Sequence, residues 1–197
     1  MPYRPGPSYA MKDVYLKEWI EYLVKMYDIQ IIVETGLNDG QSFLEFSKIV
    51  PYVLGIDIDM NCIDATENLL QNNNMTNYLL LCGDSPAELR DMDFSDIYQG
   101  KILYFLDAHW DDNGDISSPI REEIRAIPKG KGIIVLHDIK VPGKDFGYDR
   151  FNLDGEMEDF SYELIKDALT EWSPTHHIVY NIEAHEDCYR GVGVVFP

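Results

Sequence analysis

The sequence predicts an α/β protein: a seven-stranded, mostly parallel sheet with an antiparallel last strand and helices on both faces. Three observations carry this. From residue 29 to residue 137, short apolar runs alternate with segments of helical period, the pattern of βαβ crossovers and a sheet buried on both faces. The chain then closes with two strand-like runs joined by the polar link Glu183–Tyr189, too short for a parallel crossover but sufficient for an antiparallel hairpin. Finally, the first apolar run ends in Glu34-Thr35-Gly36-Leu37-Asn38-Asp39-Gly40, a glycine-bracketed turn that opens a helix.

The elements follow in order. Pro2, Pro5, Gly6 and Pro7 disfavour regular structure at the start. Met11 to Tyr27 reads as a helix whose apolar stripe, Tyr15, Trp19, Leu23 and Met26/Tyr27, is expected to pack on the sheet or on a second subunit. Strands are expected at Ile29–Glu34, Tyr52–Asp57, Tyr78–Cys82, Lys101–Asp107 and Gly132–His137. Helices are expected at Gln41–Ile49, Asn61–Gln71, Ser85–Arg90 and Ser118–Ile127. Val141–Asp159, long and rich in glycine and charge, reads as a functional loop over a site. A helix over Phe160–Trp172, stopped by Ser173-Pro174, precedes the closing strands His177–Ile182 and Gly191–Phe196. This divides the chain into an N-terminal segment and helix, 1–28, and a single domain, 29–197.

Composition narrows the function. The chain has 197 residues, 45% hydrophobic and 26% charged, enough for one core. A formal charge of -19 argues against nucleic acid, whose affinity rests on Lys and Arg neutralising phosphates. Cys62, Cys82 and Cys188 are odd in number and lack paired spacing, so neither a disulfide framework nor a zinc knuckle is expected, and a reducing cytoplasm is the simpler setting. Met1 to Pro7 has no apolar run like a signal peptide, and no segment has the ~20 apolar residues of a membrane span.

The candidate site lies where the strands end. In open α/β sheets ligands bind outside the carboxyl ends of the strands. Here those ends carry Glu34, Asp57, Gly83-Asp84-Ser85, Asp107 and His137-Asp138. A carboxylate such as Asp57, about 20 residues after the glycine turn, suits a ribose with two free hydroxyls. The turn lacks the G-x-G-x-x-G spacing that seats a pyrophosphate, and Glu34 and Asp39 would repel phosphates. They suit a cationic ligand, which selects S-adenosylmethionine over NAD.

The order Glu-Thr-Gly-x-x-x-Gly, Gly55-Ile-Asp57, Gly83-Asp84-Ser85, Phe105-Leu-Asp107 and a closing hairpin resembles the class I S-adenosylmethionine-dependent methyltransferases, over roughly residues 29 to 197. The resemblance implies a Rossmann-like fold with Glu34, Gly36 and Gly40 around the methionine end, Asp57 on the ribose, and Asp84 with Ser85 beside the adenine. Asp59 is second choice for the ribose.

Leu106-Asp107-Ala108-His109-Trp110 and His137-Asp138-Ile-Lys-Val-Pro142-Gly143 resemble the metal-dependent O-methyltransferases of the catechol and macrocin types. Asp107, His137 and Asp138 would then hold a divalent cation. The family implies magnesium, whereas an imidazole suits manganese, iron or zinc. The catalytic lysine of the catechol type is replaced by Asp111-Asp112-Asn113, so the preferred general base is His109, with Asp107 in the catalytic set. The alternative is His137 as a strand-end histidine bonded to backbone and Asp138 as an N-cap or turn residue. The run Asp111–Asp115 reads as a solvated loop outside any EF-hand register. His176, His177 and His185 read as surface or strand residues. Tyr148, Phe151 and Phe160 would floor a substrate pocket or anchor the long loop. The expected acceptor is a hydroxyl of a small molecule or sugar, with neither nucleic acid nor membrane as partner and homo-oligomerisation open. The rival readings are an NAD-dependent oxidoreductase and a non-catalytic adenosyl-binding protein of the same fold.

Overall fold

The computed structural model describes residues 9–92, 101–112, 115–153, 155–186 and 188–197, and for residues 110–112, 115–117 and 153 the backbone only. The proline-rich start and residues 113–114 of the acidic run lie outside it. In chain order the strands are β1 (Ile31–Thr35), β2 (Tyr52–Asp57), β3 (Tyr78–Cys82), β4 (Ile102–Leu106), β5 (Trp110–Asp112), β6 (Asp115–Ser117), β7 (Ile133–His137), β8 (Arg150–Leu153), β9 (Glu156–Asp159), β10 (His177–Tyr180) and β11 (Val192–Phe196). The helices are α1 (Val14–Tyr27), α2 (Gln41–Ser47), α3 (Met60–Asn72), α4 (Ser85–Asp91), α5 (Ile120–Ala126) and α6 (Tyr162–Trp172). The main sheet has seven strands in the order β10-β11-β7-β4-β1-β2-β3. β11 runs antiparallel to both its neighbours, and every other pairing in this sheet is parallel.

The three central strands are apolar along nearly their whole length because both faces are covered. Successive side chains alternate between faces. Ile31, Val33, Tyr104, Leu106, Ile134 and Leu136 meet α5 and α6 through Ile124, Ile165, Leu169 and Trp172. On the other face Ile32, Leu103, Phe105, Ile133 and Val135 meet α1, α2 and α3 through Ile20, Leu23, Phe43, Phe46 and Leu70. The chain runs outward from β1 to β2 and β3, then returns to lay β4 on the opposite side of β1. The crevice for a ligand therefore opens between the carboxyl ends of β1 and β4.

Three expectations need correction. The first helix is broken: Ala10–Lys12 is a 3₁₀ turn, and buried Asp13 caps α1 by accepting the N–H of Tyr15 at 2.9 Å. Its buried stripe is Leu16, Ile20 and Leu23, whereas Tyr15, Met26 and Tyr27 are exposed. Both stripes follow a helical period, and the i, i+4, i+7 spacing of the aliphatic Leu16, Ile20 and Leu23 decides the register. Second, the acidic run is not simply a loop, since β5 and β6 form a hairpin with Asp112 opposite Asp115. Third, the long loop contains a second hairpin, β8 with β9, registered Leu153 to Glu156. Asn113-Gly114 and Asp154-Gly155, the dipeptides between these strands, are the sequence signature of two-residue hairpin turns.

The corrected register of α1 is directly testable. Ile20→Ala empties a fully buried position and should cost about 2–5 kcal/mol. Tyr15→Ala, on the exposed side, should stay within about 0.5 kcal/mol of the parent in urea unfolding. Equal losses at the two positions would contradict the packing.

Candidate active site at the carboxyl edge of the sheet

The turn after β1 is built by close backbone approach. Gly36 has φ +78°, and a Cβ there would lie 2.8 Å from the Cα of Ala108 and from the carbonyl oxygen of Asp107. Only glycine lets this turn lie against the end of β4. Gly40, at φ +75°, caps α2 and presses on Thr66 of α3. Asp57, at the end of β2, ties the turn down: its carboxylate accepts the N–H of Leu37 at 2.7 Å and that of Asp59 at 2.8 Å. Asp59 is occupied as the N-cap of α3, accepting from the N–H of Asn61 at 2.9 Å.

Glu34 is buried, and its Oε2 has no hydrogen-bond partner among the described residues. Burial, and then the neighbouring charge of Asp107, hold this carboxyl well above the usual carboxylate range. An orphaned acceptor beside a glycine cradle fits the ammonium end of an amino-acid-bearing ligand. Asp84 is exposed and caps α4 through the N–H of Ala87 at 3.3 Å. Ser85, by contrast, is buried and donates to Glu123 of α5 at 2.5 Å. Glu123 drew no attention in the sequence because it sits in an ordinary-looking Arg-Glu-Glu helix segment. Burial pushes its carboxyl up to about 7 against the lowering influence of the Ser85 and Thr35 hydroxyls.

Asp107, His137 and Asp138 do converge, with one ligand atom from each lying within 4.8 Å of the others. The His137 Nδ1 stands 3.0 Å from the Oδ1 of Asp107 and 3.3 Å from that of Asp138. Burial opposes a charge on His137, but the two flanking aspartates override it and hold the imidazole well above its ordinary value. Asp138 has φ +65° and is buried. It is held far below the usual carboxylate range, against burial, by His137 and Arg190. Arg190 pairs through Nε with Asp138 and through Nη2 with Asp149. Neither Arg190 nor Asp149 was singled out in the sequence. One lies just before the last strand, the other inside the long loop, and only folding brings them together. Two carboxylates and an imidazole are a chemically suitable donor set for a first-row divalent cation. In this arrangement the same groups form an ion-pair chain closed by Arg190.

His109, just beyond β4, is half-exposed, with Nε2 3.5 Å from the Oδ2 of Asp149. It lines a small cleft together with Asp107, His137, Asp149, Phe151 and Phe160. Phe151 and Phe160 are both buried in the core and in contact with that cleft, so they serve the two roles together. In the long loop Gly143 and Gly155 have left-handed φ with open space around them, consistent with hinges. Gly147 is not of this kind, since a Cβ there would lie 3.0 Å from the carbonyl oxygen of Tyr189. His176 bonds Tyr162 and Ser173, and His177 stacks on Phe196, both apart from the cleft. Cys62, Cys82 and Cys188 are free thiols. No helix among the described residues is long and apolar enough to cross a membrane.

The titration of Glu123 gives a stability prediction. The folded chain keeps this proton to about 7, whereas the unfolded carboxyl loses it near 4.5. Its contribution is thus fully present below about 4.5 and is lost as pH rises to about 7, a change on the order of 3 kcal/mol. Glu123→Gln should therefore gain in thermal midpoint relative to the parent between about pH 5 and about pH 8. A gap that does not change with pH would show that Glu123 does not titrate there.

No family model and no curated protein matches the chain. Solved structures do. The O-methyltransferase from Bacillus cereus, in complex with SAH, is 15% identical with a TM-score of 0.62, over 92% of this chain and 80% of that one. TomG from Streptomyces achromogenes, an O-methyltransferase involved in tomaymycin synthesis and solved with SAM, is 13% identical with a TM-score of 0.60, over 92% and 78%. Precorrin 8W decarboxylase from Methanobacterium thermoautotrophicum is 20% identical with a TM-score of 0.55, over 99% and 93%. With the strand order, these likenesses establish the fold: the chain has the Rossmann-like fold of the class I S-adenosylmethionine-dependent methyltransferases.

Proposed function

We propose that the protein is a cytoplasmic S-adenosylmethionine-dependent O-methyltransferase acting on a hydroxyl of a small molecule or sugar. The observation that carries this reading is the cradle after β1. Gly36 lies on the backbone of Asp107 and Ala108, buried Glu34 has an oxygen with no partner among the described residues, and Asp57 stands at the adjoining strand end. This suits a ligand with a cationic amino-acid end and a ribose, and the fold's relatives solved with SAM and SAH support it. The bound cofactor would supply an electrophilic methyl group. Glu34 and the Gly36 turn would hold its amino-acid end, Asp57 its ribose, and exposed Asp84 would border the adenine. Ser85 would support that border through Glu123.

On the acceptor side, His109 is the proposed general base, oriented by Asp149 in the manner of a base held by a third group. Phe151 and Phe160 would exclude water from the acceptor oxygen. Asp107, His137 and Asp138 would hold a divalent cation, which when bound lowers the acceptor's hydroxyl pKa and orients its oxygen. The loop from Val141 to Asp159 would close over the acceptor, as lids do in many enzymes.

Release of S-adenosylhomocysteine in a screen of hydroxylated metabolites, with and without chelator, tests the reading. If no acceptor turns over while the cofactor binds, the fold serves adenosyl binding alone. Asp57→Ala should weaken S-adenosylhomocysteine binding about tenfold or more, from a lost charged hydrogen bond of ~1.5–3 kcal/mol. Asp57→Asn keeps an acceptor for the Leu37 N–H and should lose less. Parental affinity in both variants, together with NADH binding, would overturn the cofactor assignment.

His109→Ala should lower turnover by ~10²-fold while cofactor affinity persists. Parental turnover in this variant from about pH 6 to about pH 9 would assign proton removal elsewhere.

A further inference from the structure

Arg190 touches more of the acceptor side than any motif announced. Its guanidinium joins Asp138, at the end of β7, to Asp149, at the foot of the β8–β9 hairpin. The backbone repeats the connection. Gly147 donates to the carbonyl of Tyr189 at 2.6 Å, Gly191 donates to that of Gly147 at 2.8 Å, and Asp149 donates to that of Asp138 at 2.9 Å. Phe160 closes the hairpin base by donating to the carbonyl of Asp149 at 2.9 Å. The pair is shielded from solvent, with the Asp138 side chain 8% and the Arg190 side chain 26% exposed. Asp138 is also one of the three groups that converge with cation-ligand spacing.

We propose that Arg190 is a built-in competitor for the divalent cation, so that the latched hairpin and the metal-loaded site are alternative states of the protein. A divalent ion on Asp107, His137 and Asp138 would stand beside a guanidinium on the same carboxylate. Like charges this close and this poorly hydrated repel strongly. On this proposal Arg190 leaves Asp138 when the ion binds, and the hairpin then loses its side-chain tie to the end of β7. This deepens the metal-assisted methyltransferase reading and rests on it. Arg190 is a positioning residue here: it acts through Asp138 and Asp149.

The test uses manganese chloride as probe, with the full chain. Arg190→Gln should bind Mn²⁺ at least tenfold more tightly than the parent in titration calorimetry. Arg190→Lys, which retains a cation but only one arm, should fall between them and serves if the glutamine variant does not fold. In the parent, saturating Mn²⁺ should speed amide exchange at Gly147, Asp149 and Phe160 at least tenfold. Equal Mn²⁺ affinities across the series, absence of Mn²⁺ binding in all of them, or unchanged exchange in saturating Mn²⁺ would overturn the proposal. S-adenosylhomocysteine calorimetry on the same samples separates the two failures. Retained binding with no effect of Arg190 on Mn²⁺ sinks only the competition, whereas no binding at all sinks the methyltransferase reading.

Discussion

Charge brought below the surface at one end of a sheet must be neutralised there, and the acceptor side of this protein is organised around that requirement. Asp107, His137, Asp138, Arg190 and Asp149 form a continuous chain of opposite charges running from the end of β4 to the foot of the β8–β9 hairpin. Each link lowers the cost of burying the next, and removing one partner would leave an uncompensated charge. The chain also fixes distances. It keeps the hairpin close to the last strand, sets Asp149 beside His109, and holds Asp107 and Asp138 together at the Nδ1 of one imidazole.

The alternation of side chains along a strand divides this edge into two chemically distinct faces. Within β1, Glu34 follows the register of Ile32 toward α1, α2 and α3, while Thr35 follows that of Val33 to the opposite side, toward Ser85 and Glu123. Between them the backbone turn at Gly36 lies on the end of β4. A ligand in that crevice would meet carboxyl groups from the first face and a helix terminus capped by Asp84 near the second.

The fold alone does not choose a reaction. Structures of similar shape include O-methyltransferases solved with SAM and SAH and a precorrin decarboxylase, all at 20% identity or less. What distinguishes one member from another is the set of side chains at the strand ends. Here that set includes a histidine as the last residue of β7 and an arginine that already holds one of the carboxylates.

The seven strands, their mixed direction and the glycine turn were legible because they depend on local patterning: apolar runs, helical periods, a short closing link and a glycine pair. The β5–β6 and β8–β9 hairpins were not read, because the charge around Asn113-Gly114 and the glycine, charge and weak periodicity of the long loop suggested loops. The convergence of Asp107, His137 and Asp138 followed from their places at the ends of neighbouring strands. By itself, then, the sequence determined the sheet, its carboxyl edge and the acidic character of that edge. The register of α1, the pairing of Ser85 with Glu123 and the reach of Arg190 to Asp138 and Asp149 were decided only in the tertiary structure. Ser85 and Glu123 are 38 positions apart, and Arg190 is 52 from Asp138. Contacts at such separations depend on how helices and loops dock on the sheet, which no local period encodes.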